Sequence, residues 1–207
     1  MAALDPVQIG LALAVLLASL TVHEAAHAWA ADRLGDPTAR LLGRLTLNPV
    51  AHIDPIGTLL FPLLAATTGL PLIGWAKPVP VNGRNLRAPR RDFALVAAAG
   101  PASNLGLAVL GAVWLQAAPS PLTGGMVGYG VLLLVVVNVL LAIFNMLPIP
   151  PLDGGNVLIG VLPAPAAHAV DRLRPYGIFV LYALMFSGVF RSVVLPVQER
   201  LLGWLLL

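Results

Sequence analysis

The chain has 207 residues, a length that fits one domain, with twelve basic and nine acidic side chains and a net charge of +3. Hydrophobic residues make up 58% and charged residues only 10%, against about a quarter charged in a soluble domain. This excludes a water-soluble enzyme or a disordered segment; zero cysteines exclude disulfides and thiolate metal sites, and the small basic excess suggests no nucleic-acid partner.

A helix that crosses a bilayer needs about 20 mostly apolar residues. The first such run is 7–31. It lacks a basic leader, and His and Glu follow within the same periodic segment, so it does not read as a signal peptide. Arg33, Arg40 and Arg44 come next, in a loop whose stretch 41–48 looks extended. The run 56–75 is shorter and is broken by Pro62, Gly69 and Pro71; a re-entrant segment is preferred to a span. That choice puts Lys77, Arg84, Arg87, Arg90 and Arg91 on the same side as the first three arginines, which the positive-inside rule makes cytoplasmic. Residues 79–82 resemble a short edge strand, where Pro is tolerated. Further spans are expected at 93–118, 126–147 and 176–195, with 119–125 and the N-terminus outside. The tail 197–207 is too short to span alone and reads as an interfacial helix or an extension of the last span; Trp75 and Trp204 fit interfacial anchors. The expected fold is therefore an all-α multi-pass protein of the cell membrane, 1–207 forming one domain with a core at about 8–160 and C-terminal helices at about 165–207. A short β-hairpin-like or re-entrant segment joins its first two core helices.

The first run ends in Thr21-Val22-His23-Glu24-Ala25-Ala26-His27, an H-E-x-x-H pattern. Residues four apart share a helix face, so both imidazoles reach one ion, while Glu24 sits about 100° around, beside the metal. Polar residues at membrane depth are costly, and a cation compensates three of them in one turn. Haem is a poorer fit, since two histidines four apart cannot take both axial positions. A catalytic zinc site needs a third protein ligand. Arg33 stands where a longer zinc motif has its last His, which leaves Asp36, His52, Asp54, Asp92, Asp153, His168 and Asp171. Asp153 stands out, because it follows a span through Pro148, Pro150 and Pro151 and precedes Gly154 and Gly155, which permit a tight turn. A helix N-cap is the plainer role for it.

Several segments together carry a family resemblance: HEAAHAWAADRLGD, GRLTLNPVAHIDPIGT, WAKPVPVN, AGPASN and NMLPIPPLDGG. They resemble the site-2 protease family of intramembrane zinc metalloproteases, and more closely its short prokaryotic members without PDZ or CBS domains. The resemblance covers roughly residues 8–160. It implies a core of three helices, here the runs beginning at 7, 93 and 126, with further membrane helices around it. It implies one Zn2+ per chain held by His23, His27 and Asp153, with Glu24 as the catalytic base. It also implies that Asn145 contacts substrate or the oxyanion; Asn104 could do likewise or bridge helices, and His52 and Asp54 could be gate residues or could order their loop.

The expected function is an intramembrane zinc metalloendopeptidase acting on transmembrane segments in the bilayer, its active site toward the cytoplasm. Glu24 takes a proton from water and returns it to the leaving amine. The substrate helix must unwind first, and a segment near 79–81 or 41–47 could hold it by strand addition. The rival is a metal transporter or a non-catalytic membrane scaffold. A transporter needs several metal stations, yet 93–147 contains no His, Asp or Glu. The substrate, the activating signal and the oligomeric state are not legible.

Overall fold

The structure is a computed structural model that describes residues 6–60, 63–64, 75–188 and 190–207. All regular elements among the described residues are helical. The choice between a span and a re-entrant segment at 56–75 falls largely outside the described residues, which include a π-helical turn Pro55–Leu60 at its start and Trp75 at its end.

Three helices are long and apolar enough to cross a membrane: α1 (Pro6–Arg33), α3 (Pro89–Ala117) and α5 (Met126–Asn145). The short helices α2 (Thr38–Leu41) and α4 (Ser120–Thr123) lie between them. Helix α3 is central and packs against α1, α5 and α6 (Asp153–Val161). Small residues make this possible, since helices in lipid gain little from hydrophobic burial and need close backbone approach. Ala108, Gly111 and Ala112 of α3 meet Val135 and Val139 of α5, Ala30 and Ala31 of α1 meet Val96, and Gly160 of α6 lies on Ala94.

The carboxyl-terminal part departs from the sequence reading. The expected span 176–195 is not one helix: α8 (Gly177–Phe186) ends in a turn at Ser187 and Gly188, the latter with φ +80. Ten residues rise only about 15 Å, half of the roughly 30 Å hydrocarbon core. A π-helical turn, Phe190–Val194, leads into α9 (Leu195–Leu206), which extends that turn and docks on the bundle. Leu201, Leu202, Leu205 and Leu206 cover the α3–α5 seam, and Gln198 Nε2 donates to the Val136 carbonyl at 3.2 Å. Between α6 and α8 lies α7 (Ala164–Asp171).

The expected β-hairpin between the first two long helices is not formed among the described residues. Residues 41–48 are a helical end followed by turns and bends. Residues 75–82 form no regular element and pair with no strand among the described residues; Pro78 and Pro80 carry no N–H to donate. Instead they form a strap along α1. Ala76 packs on Leu16 and Leu20, Val79 on Ala28 and Ala39, and Val81 against Ala30 and Ala31. Polar contacts fix both ends. Lys77 N donates to the His52 carbonyl at 2.9 Å and Asn82 N to Asp36 Oδ2 at 2.6 Å. Asp36 is buried and also accepts from Thr38 N, Thr38 Oγ1 and Asn85 Nδ2 at 3.2, 2.5 and 2.8 Å. These four donors outweigh the effect of burial, which alone would raise its pKa, and hold the Asp36 carboxyl below its ordinary value of 3.8.

Candidate metal centre

His23 and His27 lie on one face of α1, one turn apart, and both are buried. Their Nε2 atoms are 3.0 Å apart. Asp153, the first residue of α6, presents Oδ2 at 3.1 Å from His23 Nε2 and 3.4 Å from His27 Nε2. Leu152, not Asp153, is the N-cap of that helix, and its side chain makes no cap bond. Asp153 is thus at the site rather than capping its helix.

The other nitrogen of each ring decides what this cluster can hold. His27 Nδ1 lies 2.7 Å from the Val96 carbonyl oxygen, which can only accept, so the proton is on Nδ1. His23 Nδ1 lies 2.6 Å from Asn104 Oδ1, and the same tautomer follows there. Both Nε2 lone pairs therefore converge on a carboxylate oxygen that is buried and has no hydrogen-bond partner. Three acceptors facing one point without a proton between them call for a cation. Ligand atoms about 2.0–2.1 Å from one tetrahedral ion stand roughly 3.3 Å apart, close to the spacings found. Among the described residues, His23, His27 and Asp153 form the one group with this property.

Helix α3 supplies the floor. A Cβ at Gly100 would collide with the His27 and His23 ring atoms, so only glycine lets α3 come this near. Pro101 follows it and leaves the α3 ladder without one donor, next to the carbonyl that accepts from His27. Gly154 and Gly155 work in a similar way. They sit inside α6, not in a turn as their sequence context suggested, and a Cβ on either would strike the backbone of 146–150. They let α6 lie against the proline-rich connection and set the depth of Asp153.

Glu24 faces the strap. Its Oε2 accepts from Val79 N at 2.7 Å, and the residue is buried. Its carboxylate is one residue round the helix from the histidines and is not part of the metal-ligating group. The other sequence candidates have different surroundings. Asp54 accepts from Ile56 N and Gly57 N, and Asp92 accepts from Ala88 N at the start of α3. Asp171 pairs with Arg174 on the surface, and His168 is exposed on α7. His52 is buried in its loop, where Nε2 donates to the Thr46 carbonyl at 2.9 Å. Asn145 is half-buried at the end of α5 and donates to the Leu141 carbonyl at 3.0 Å. Asn104 is fully buried, and both ends of its carboxamide bond to protein, Oδ1 to His23 and Nδ2 to Asn138. It bridges helices and turns no polar atom toward a substrate.

The sequence reading missed the Val79 N–H, the Val96 carbonyl, and Asn138 and Ser19 behind Asn104. The first two are backbone atoms and leave no residue-type signal. Asn138 did leave one, as an amide in the middle of the apolar helix α5.

The fold defines a multi-pass membrane protein in which the two histidines of an H-E-x-x-H pattern and Asp153 form a group that could hold a metal ion. The model of peptidase family M50 matches residues 123–188, which include Asn145 and Asp153. The chain is 38% identical over 194 residues to "Putative zinc metalloprotease YwhC" of Bacillus subtilis, covering 87% of this chain and 81% of that protein. It is 32% identical over 178 residues to "Putative zinc metalloprotease Rip2" of Mycolicibacterium smegmatis, covering 86% and 67%. A protein of the same name from Mycobacterium tuberculosis is 33% identical over 172 residues, covering 83% and 64%. No solved structure gives a significant match. The chain belongs to peptidase family M50, the site-2 proteases.

Proposed function

We propose that this protein is a membrane-embedded zinc endopeptidase, a single domain that hydrolyses peptide bonds within transmembrane segments of other membrane proteins. The observation that carries this reading is the convergence of His23 Nε2, His27 Nε2 and Asp153 Oδ2, with Glu24 one residue away and tethered by Val79. His23, His27 and Asp153 hold the zinc. Zinc in such a site supplies Lewis acidity, which polarises a carbonyl and acidifies water.

The chain's own residues do the rest. The Val79 N–H holds one oxygen of Glu24, which leaves the other free to take a proton from the attacking water. Glu24 then returns that proton to the departing amine. Burial of the centre keeps bulk water away and strengthens each charge interaction within it. A substrate helix hides its carbonyls in its own hydrogen bonds and must unwind to be attacked. Along the strap, Pro78 and Pro80 have no N–H and that of Val79 goes to Glu24, so an unwound segment would pair there by donating to strap carbonyls. Asn145, at the end of α5, is assigned to the substrate side, and His52 to ordering the loop that anchors the strap. A transport reading has no support in a second metal-ligating group among the described residues.

Glu24→Gln keeps the shape of the side chain and removes the base. Zinc should stay at one per chain while cleavage of a transmembrane substrate in proteoliposomes falls at least a hundredfold. A variant that cleaves at the wild-type rate overturns the assignment.

We orient the active site toward the cytoplasm because hydrogen bonds from Arg44 to the Lys77 carbonyl and from Arg87 N to the Leu34 carbonyl draw the two basic loops, 33–44 and 77–91, together. Single cysteines are clean probes in this cysteine-free chain. Those at 42 and 84, both exposed, should label from the cytoplasmic side and one at 122 from the opposite side; the reverse pattern sinks the orientation.

A further inference from the structure

Behind His23 runs a row of polar side chains that crosses all three long helices. His23 Nδ1–H donates to Asn104 Oδ1 at 2.6 Å, and Asn104 Nδ2 donates to Asn138 Oδ1 at 2.7 Å. Asn138 Nδ2 donates to Ser19 Oγ at 2.8 Å and to the Leu134 carbonyl at 2.9 Å. Ser19 Oγ donates onward to the Val15 carbonyl at 2.7 Å. Ser19, Asn104 and Asn138 are each fully buried at 0% exposure, so none of them reaches solvent or a substrate. Two buried amides and a hydroxyl within spanning helices are costly unless each is satisfied, and here each one is.

The row has a direction. Every donor points away from His23, and the row ends on backbone carbonyls of α5 and α1, which can only accept. If His23 carried its proton on Nε2, the site nitrogen, both amides would have to turn over. Asn104 would then donate to His23, Asn138 to Asn104 and Ser19 to Asn138. That arrangement keeps three hydrogen bonds out of five, since the bonds to Leu134 and Val15 are lost. Two buried hydrogen bonds favour the observed direction by roughly 30-fold.

We propose that Asn104, Asn138 and Ser19 act together as a positioning relay that fixes His23 in its metal-binding tautomer and orientation, with Asn138 and Ser19 acting at a distance through Asn104. This rests on the zinc-site reading above. Outer partners of metal-bound histidines typically alter affinity 10- to 100-fold when removed. His27 needs no such relay, because a backbone carbonyl is already a fixed acceptor.

The test is zinc affinity of the purified full chain in detergent, measured by competition with a chelator and without any substrate. Asn104→Leu should weaken zinc binding 10- to 100-fold, and Asn138→Leu, which touches no ligand, should weaken it 3- to 30-fold. Asn104→Asp keeps an acceptor for His23 and should bind zinc within about threefold of wild type. The double variant with leucine at both positions should be no weaker than Asn104→Leu alone, because members of one chain are not additive. Cobalt bound in place of zinc should show a changed visible spectrum in Asn138→Leu and an unchanged one in Asn104→Asp. Should Asn104→Leu fail to fold, Asn138→Leu and Asn104→Asp decide the matter. Wild-type affinity and an unchanged cobalt spectrum in Asn138→Leu, or full additivity of the two leucines, overturn the relay and leave the zinc site standing. A wild-type chain that binds no zinc overturns both.

Discussion

The two sides of the centre are held in different ways. On the metal side, His23, His27 and Asp153 sit on helices packed through small residues, and the second nitrogen of each ring is bonded to α3. On the other side, Glu24 is held by one backbone N–H from a strap that forms no ladder among the described residues. That strap packs Ala76 and Val79 on small and apolar neighbours and is anchored by polar contacts to Asp36, Arg44 and the His52 carbonyl. The three proposed ligands are thus positioned by packing that costs much to disturb. Glu24, the proposed base, is positioned by a segment whose polar anchors a single substitution can remove. Changes in helix packing should act on metal content, and changes at the strap's anchors should act on turnover with the metal retained.

The largest effect should come from the metal side. In Gly100→Val the new side chain needs the space of the two imidazoles, and the cost is overpacking against rings held by the Val96 carbonyl and the Asn104 side chain. Zinc content should fall below a tenth of wild type and activity with it. Metal analysis of the purified variant checks this, and near-full zinc would show that α3 does not set the ligand spacing.

A smaller and different effect is expected at the strap. Asp36→Asn removes the charge that four donors converge on, 2.6 Å from Asn82 N and three residues from Val79. Zinc content should stay at wild type while kcat falls roughly 10- to 100-fold, the usual cost of about an ångström of misplacement. Loss of zinc in parallel with activity would erase the contrast between the two sides.

The smallest effect is a pH dependence of the strap itself. The Asp36 carboxyl is held below its ordinary value in the folded protein, so its stabilisation is complete above pH 3.8 and is lost as the pH falls through the lowered value. Hydrogen exchange at the Val79 and Asn82 amides should therefore lose protection below about pH 4, and Asp36→Asn should remove that dependence. Equal pH dependence in the variant would place the acid-sensitive group elsewhere.

The same contrast explains what the sequence revealed. His23, Glu24 and His27 were legible because helical spacing alone puts them together. Asp153 was legible as one of several candidates, and its proline-rich approach singled it out. The strap was misread as an edge strand because its alternating valines follow strand periodicity; the prolines that tolerate an edge also leave too few donors for a ladder. Its contact with Glu24 is a backbone bond across 55 residues, which no residue type announces. The span expected at 176–195 failed because hydropathy does not register a turn, here at Gly188. Asn104 was noticed, with a substrate role and helix bridging both left open, since its partner Asn138 becomes apparent only when α3 and α5 are packed together.

The central claim is that Asp153, and not the better imidazole ligand His52, completes the metal site. Its most direct test is the zinc content of Asp153→Ala and His52→Ala purified side by side. The structure predicts an empty site in Asp153→Ala and a full site in His52→Ala, because His52 is buried in its own loop with Nε2 given to the Thr46 carbonyl. One zinc per chain in Asp153→Ala, with none in His52→Ala, would contradict it.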